Sequence, residues 1–261
     1  MSFTLAQYGL GALSGGLVSF SLGLVGGGGS ILAVPLIIYL VGLRDPHLAI
    51  GTSALAVAFN AATGLLSHAR ARTVKWRCGL IFAAAGVIGA FLGSSAGKAF
   101  DGKRLLILFA FVMVAVGVLM LRSRRDRGVQ DAKCTLANAP KVLGTGFGTG
   151  LFSGFFGIGG GFLIVPGLVA STGMPMINAI GTSLIGVTAF GLTSALNYAA
   201  SGLVAWGVAV AFIGGGVVGS VAGMRLARHL AHGQALRLIF AGMIFVVAAY
   251  MMWQSWRALA V

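Results

Sequence analysis

Glutamate is absent from this chain of 261 residues, and four aspartates, Asp45, Asp101, Asp126 and Asp131, stand against 18 lysines and arginines. All four fall in apparent loops, so no apolar segment holds the paired carboxylates that acid–base chemistry uses. The two cysteines, Cys78 and Cys134, have no CxxC partner, and neither zinc nor a disulfide is indicated. The four histidines, His47, His68, His229 and His232, read as solvated loop residues. His229 and His232 are three apart, but no acid or cysteine lies near to complete a metal site. No Ser-His-Asp or Cys-His set falls within the apolar stretches. An enzyme is therefore excluded, and no cofactor or metal is called for. Charged residues make up only 8%, against roughly a quarter in soluble domains, which excludes the soluble class.

What the chain has instead is apolar bulk: 58% hydrophobic residues, in successive stretches of about 17–24, the length that spans a bilayer. Strand alternation is missing, so the expected class is an all-α integral membrane protein. Its net charge of +14 fits basic cytoplasmic loops with few acids to offset them, without a nucleic-acid partner. The stretch Met1–Gln7 lacks a basic region, and Tyr8 onward reads as a first membrane segment, not a cleaved signal.

The sequence repeats itself. Gly26-Gly27-Gly28-Gly29-Ser30-Ile31-Leu32-Ala33-Val34-Pro35 returns as Gly157-Ile158-Gly159-Gly160-Gly161-Phe162-Leu163-Ile164-Val165-Pro166, an offset of 131. Ala49-Ile50-Gly51-Thr52-Ser53 returns unchanged as Ala179-Ile180-Gly181-Thr182-Ser183, an offset of 130. Val74 and Trp76 match Val204 and Trp206; Gly86, Gly89 and Gly93 match Gly216, Gly219 and Gly223. Residues 1–122 form a first repeat, 123–141 a charged linker, and 142–261 a second repeat. Each repeat reads as a Gly-broken hairpin of short helices plus three transmembrane helices. In the first repeat these are Tyr8–Leu24, Ile31–Gly42 with Pro35 in its first turn, Ala49–Ser67, Trp76–Ala99 and Leu105–Leu121. In the second they are Val142–Phe156, Phe162–Thr172, Ala179–Tyr198, Trp206–Ala227 and Ala235–Trp253. The short helices either re-enter or cross. Either way the span number per half is odd, so the repeats are expected to be inverted.

Charge supports that orientation. Arg70, Arg72, Lys75 and Arg77 follow the third segment of the first half, whereas the equivalent Ala199–Ala205 carries no charge. With the linker cytoplasmic, those four lie inside with Arg122, Arg124, Arg125, Arg127, Lys133, Lys141, Arg225, Arg228 and Arg237. That leaves Arg44, Lys98, Lys103, Arg104 and Arg257 outside, and both termini periplasmic.

A backbone break inside a membrane has to line a cavity or be buried in protein. Gly26, Gly27, Gly28, Gly29 and Ser30, and Gly157, Gly159, Gly160 and Gly161, each precede a helix whose first N–H groups lack internal partners. With the helix dipole they form a positive pole suited to an anion. Neither run carries the Lys-Ser/Thr of a nucleotide phosphate loop. Thr52, Ser53, Thr182 and Ser183 open the third segments, where their hydroxyls either cap those helices or face a ligand. Asn60 and Asn197 either bridge helices or touch substrate. Tyr198 reads as part of an interfacial aromatic belt. The scattered glycines read as close helix packing. No intramembrane acid or histidine is evident to couple ions.

On the Gly-rich break with its following Pro and the Ala-Ile-Gly-Thr-Ser of each half, the chain resembles the TauE/SafE family of sulfite exporters, also called the toluene sulfonate uptake permease family. The likeness covers roughly Tyr8–Met252. It implies transport of small sulfur-containing anions (sulfite, sulfonates or related organosulfur compounds) across a bacterial inner membrane, with the glycine breaks as the site. The expected mechanism is alternating access between the repeats. A passive anion channel and a non-transporting membrane scaffold are the alternatives. The partners implied are a small anion and the bilayer, with self-association left open.

Overall fold

The computed structural model describes residues 4–122, 138–157 and 161–230, and beyond them positions 242, 245, 246, 249, 250 and 253. Most of the linker, most of the segment Ala235–Trp253, and Ile158, Gly159 and Gly160 lie outside the described residues.

Every regular element among the described residues is helical. α1 (Leu5–Val25) begins at Thr4, whose side chain accepts from Gln7 N–H while Gln7 returns a bond to the Thr4 backbone. It ends at Gly26, where φ is +69°. The chain then winds as a 3-10 helix (Gly26–Leu32), one α-turn (α2, Ala33–Pro35) and a π-turn (Leu36–Leu40). Pro35 therefore sits deep in the return arm and not in the first turn of a second helix. It has no N–H to give, and the ladder beyond it slips to wider spacing: Val41 N–H donates to Leu36 O at 3.0 Å. The arm closes on the start of α1, where Gln7 Nε2 donates to Val41 O at 3.2 Å. The first two segments are thus arms of one hairpin that returns to the end from which it set out.

α3 (Pro46–Arg70) starts three residues earlier than the repeat motif suggests. Asp45 caps it by accepting from His47 and Leu48 N–H, with Pro46 at the first position. α4 (Trp76–Ala99) matches its expected bounds, and α5 (Gly102–Arg122) follows. The second half repeats the plan with α6 (Ala139–Phe156), α7 (Gly161–Thr172), α8 (Met176–Ala199) and α9 (Trp206–Leu230). Five described helices, among them α1, α3, α4 and α8, are long and apolar enough to cross a membrane. Large apolar side chains face outward, Val218 at 77% exposure and Leu196 at 70%. Water would penalise such a surface, whereas lipid does not.

The halves are interleaved. α1 lies along α9, where Gly15 abuts Phe212 O, Gly219 abuts Gly16 O and Gly223 abuts Phe20 O. α6 lies along α4, where Gly146 abuts Phe82 O, Gly89 abuts Phe147 O and Gly93 abuts Leu151 O. These are the same contacts with the halves exchanged. A Cβ at any of these glycines would strike a neighbouring carbonyl, so the packing role expected of them holds. α3 and α8, the matching third segments, pack face to face: Gly51 against Tyr198 and Leu203, Gly191 against Ala54 and Ala58, Gly64 against Leu184. Numbering rises along one as it falls along the other, so α3 and α8 run antiparallel.

Candidate functional site

The two glycine breaks meet. A Cβ built on Gly27 would overlap Gly161, and one built on Gly161 would overlap the Gly27 carbonyl. Two backbones come this close only when neither residue has a side chain. Gly26 and Gly157, the first residues of the two breaks, hold φ of +69° and +62°. Each faces the opposite half's Ala-Ile-Gly-Thr-Ser segment, Gly26 against Ile180 and Ser183, Gly157 against Ile50.

The first break is narrower than an unwound loop. Its glycines wind as a 3-10 helix, and Ser30 Oγ ties the turn by donating to Gly27 O at 2.8 Å. The hydroxyls of the repeat motif also differ from the expectation that they cap their own helices. Because α3 starts at Pro46, Thr52 and Ser53 lie in its second turn, and they reach across to the other half. Thr52 Oγ1 donates to Leu48 O (2.6 Å) and accepts from Ala205 N–H (2.9 Å). Thr182 Oγ1 accepts from Lys75 N–H at 2.9 Å. Each threonine therefore satisfies a backbone donor at the entry of the other half's fourth helix. Ser183 Oγ donates to Ile180 O (2.7 Å) and accepts from Gly27 N–H (3.1 Å). Ser53 Oγ donates to Ile50 O (2.9 Å), with a longer contact to Gly157 O (3.4 Å). Ser30, Thr52, Ser53, Thr182 and Ser183 are all buried. Two breaks and five hydroxyls thus form one cluster, in which Gly26, Gly27, Ser30, Ser53, Gly157, Gly161 and Ser183 are the closest members. Gly28 and Gly29 continue the first turn. Gly159 and Gly160 fall outside the described residues.

Asn60 lies apart from both breaks, two turns along α3 from Ser53. Fully buried, it packs against Gly216 of α9, and neither its Oδ1 nor its Nδ2 has a hydrogen-bond partner. Asn197 bridges helices, one of the two roles expected of it. Its Nδ2 donates to Ser94 Oγ (2.7 Å) and Ser95 Oγ (3.0 Å), and its Oδ1 accepts from Lys98 Nζ (2.8 Å).

Two expectations fail. His68 is not a solvated loop residue. It ends α3 fully buried, its Nε2 3.2 Å from Gly23 O and its Nδ1 2.9 Å from Thr73 Oγ1. Tyr198 is no interfacial belt residue, being fully buried with its ring stacked on His47 at 6.5 Å. Both are polar residues at helix ends, which a linear reading assigns to the surface; here the other half closes over them. His68 and Lys98 went unrecognised because nothing local marks them. Superposing the repeats is the signal that finds the first, since His68 and Tyr198 are equivalent positions.

Comparison with known proteins places this architecture. The model of the sulfite exporter TauE/SafE family matches residues 11–251. A probable membrane transporter protein of Xylella fastidiosa (strain Temecula1) is 51% identical over 248 residues, covering 94% of this chain and 95% of the relative. The probable membrane transporter protein YunE of Bacillus subtilis is 27% identical over 237 residues, 82% of this chain and 87% of that protein. A probable membrane transporter protein of Haemophilus influenzae is 29% identical over 202 residues. No solved structure matches the chain. The chain belongs to the sulfite exporter TauE/SafE family: it is a multi-pass membrane transporter and not an enzyme.

Proposed function

From that membership we propose that this transporter moves a small sulfur-containing anion, sulfite or an organosulfonate, across a bacterial inner membrane through the joined glycine breaks. The observation that carries the reading is the backbone contact between Gly27 and Gly161. It puts the two breaks in one place, ringed by the hydroxyls of Ser30, Ser53 and Ser183. In this reading backbone N–H groups of Gly28, Gly29, Ser30, Gly159, Gly160 and Gly161 hold the oxyanion, with Thr52, Ser53, Thr182 and Ser183 keeping the breaks in register. An anion bound this way needs no buried lysine or arginine.

Residues 1–122 and 142–261 act as two inverted repeats, and rocking of one against the other alternates access. The antiparallel run of α3 against α8 and the exchanged glycine contacts favour that relation. The linker 123–141 is cytoplasmic and the termini periplasmic, on the charge asymmetry of the loops. Outward movement of an anion is favoured by about 2.3 kcal/mol per charge per 100 mV of membrane potential.

The test is flux of labelled sulfite, a sulfonate and a carboxylate into proteoliposomes, with and without an imposed potential. Selective saturable movement of the sulfur anions is expected. Equal movement of all three, or unitary currents in planar bilayers, would replace the carrier with a passive pore.

A further inference from the structure

Each half's fourth helix is fastened to the other half. α9 is held by α1 and α3. The close contacts of α1 with α9 rise together in number, Gly15 with Phe212 and Phe20 with Gly223, so these two helices run parallel. α3 adds Thr52 Oγ1, which accepts from Ala205 N–H at 2.9 Å, and Thr63 Oγ1, which lies 3.3 Å from Ser220 Oγ. α4 is held in the same way by α6 and α8. Thr182 Oγ1 accepts from Lys75 N–H at 2.9 Å, and Lys98 Nζ donates to Asn197 O at 3.0 Å and to Ser201 Oγ at 2.9 Å. α7 joins this second group, with Gly167 against Thr149 of α6 and Phe82 of α4. Tight backbone approach and hydrogen bonds are what hold helices together in lipid, where no hydrophobic force draws them to each other.

The contacts between the two groups are of another kind. Along the α3–α8 face Gly191 lies on Ala54 and Ala58, and Gly64 lies on a methyl of Leu184. Small apolar surfaces of this sort suit the sliding of packed helices past one another. The glycine breaks lie on the same boundary: Gly27 belongs to the hairpin of the first group, and Gly161 opens α7 in the second. The chain crosses from one group to the other at 71–75 and again at 200–205. Each crossing turns on a residue in the left-handed region, Arg72 at φ +55° and Gly202 at +71°, which are equivalent positions in the repeats. α5 leans on both groups, with Gly102 beside Pro46 of α3 and the Phe109 ring 5.4 Å from that of Phe156 in α6.

We propose that the repeats rock with their fourth helices exchanged: α1, its return arm, α3 and α9 move as one body, and α6, α7, α8 and α4 as the other. The bodies slide along the α3–α8 face, hinge at the two crossings and part the glycine breaks between them. The proposal rests on the alternating-access reading and assigns its moving parts, which differ from the sequence repeats by one helix each.

The experiment is sulfite flux in proteoliposomes holding full-length cysteine-pair variants, measured as prepared, after oxidation and again after reduction, with bridging read from the intact mass. The parent protein, with its native Cys78 and Cys134, is treated alike and sets the baseline. Gly11→Cys with Ala211→Cys bridges α1 to α9 inside one body. The two Cβ atoms would lie 3.7 Å apart, close to the spacing of about 3.8 Å in natural disulfides. Thr63→Cys with Ser220→Cys bridges α3 to α9 in the same body and serves if the first pair does not fold. Ala58→Cys with Gly191→Cys, with Cβ atoms 3.0 Å apart, bridges the two bodies, and Gly64→Cys with Leu184→Cys does so elsewhere on that face. All four pairs join opposite sequence repeats, so rocking of the sequence repeats as such predicts that every bridge stops flux. The expected result is that the first two pairs keep the parent's flux when bridged, and that the last two lose it and regain it on reduction. Loss of flux on bridging inside a body overturns the exchange of helices. Undiminished flux with α3 bridged to α8 overturns the sliding face. Absence of sulfite flux in the parent protein overturns the substrate reading, and this proposal with it.

Discussion

The two halves agree in their backbone and disagree in two buried side chains. Thr52 holds Ala205 N–H as Thr182 holds Lys75 N–H, both at 2.9 Å. Gly216 faces Asn60 where the equivalent Gly86 faces Phe190, and Gly23 O meets His68, whose equivalent is Tyr198, with a buried hydroxyl that has no hydrogen-bond partner. Phe190 stacks on Phe82 at 6.2 Å and completes an apolar core, whereas Asn60 sits in the same niche with its amide unpaired. The frame needs symmetry because each half's first helix packs on the other half's fourth. The side chains have no such need: α3 carries Asn60 and His68 where α8 carries Phe190 and Tyr198.

The sharpest way to break the agreement is at the junction of the breaks. Gly161→Val should abolish transport entirely, because its Cβ would enter the Gly27 backbone, which has no side chain to swing away. Gly148→Ala is the matched control, since nothing lies within 4 Å of a Cβ there. It should leave flux unchanged and raise helix stability by about 0.5–1 kcal/mol. Flux and thermal unfolding of both proteins, compared side by side, check this; transport surviving in Gly161→Val would detach function from the junction.

The next effect is smaller and tests equivalence. Thr52→Val and Thr182→Val each keep shape but strand one buried backbone N–H, at a cost of about 1–3 kcal/mol. Because the two threonines do the same work in opposite halves, their losses measured by denaturation should agree closely, and they should add in the double variant. A large inequality would mean that the two helix entries are not held alike.

Much of this frame could be read from the chain. The bounds of α4, Trp76–Ala99, are legible because Trp and flanking charged loops mark its ends. The glycine pairs were legible because they recur in step, and recurrence at close helix contacts is what packing demands. The true start of α3 lies three residues ahead of the repeated motif, because Asp45-Pro46, a cap followed by a first-turn proline, stands outside that motif. The winding of Gly26–Leu32 as a 3-10 helix could not be read, since glycine permits that conformation and an open loop equally well. The burial of His68 and Tyr198 is illegible for a different reason. Their burial is fixed by partners far away in the chain, such as Gly23, and local polarity pointed the wrong way.

The smallest expected effect concerns the niche where the halves differ most quietly. Asn60→Leu removes an amide whose two polar atoms are buried without partners, a burial that costs about 1–3 kcal/mol in protein series. Leucine fills a similar volume and resembles the Phe190 environment of the other half. The variant should therefore be as stable as wild type or up to about 1 kcal/mol more so, against the usual trend for core changes. If Asn60 serves only packing, transport should be untouched. If the amide finds its partner in the opposite-facing conformation, the variant should melt higher yet turn over more slowly, because the state observed here has been favoured over the one that follows it. Melting temperature and flux measured on one preparation separate these outcomes. A destabilised Asn60→Leu would show that the amide is already paired in this conformation and that the contrast with Phe190 is one of shape alone.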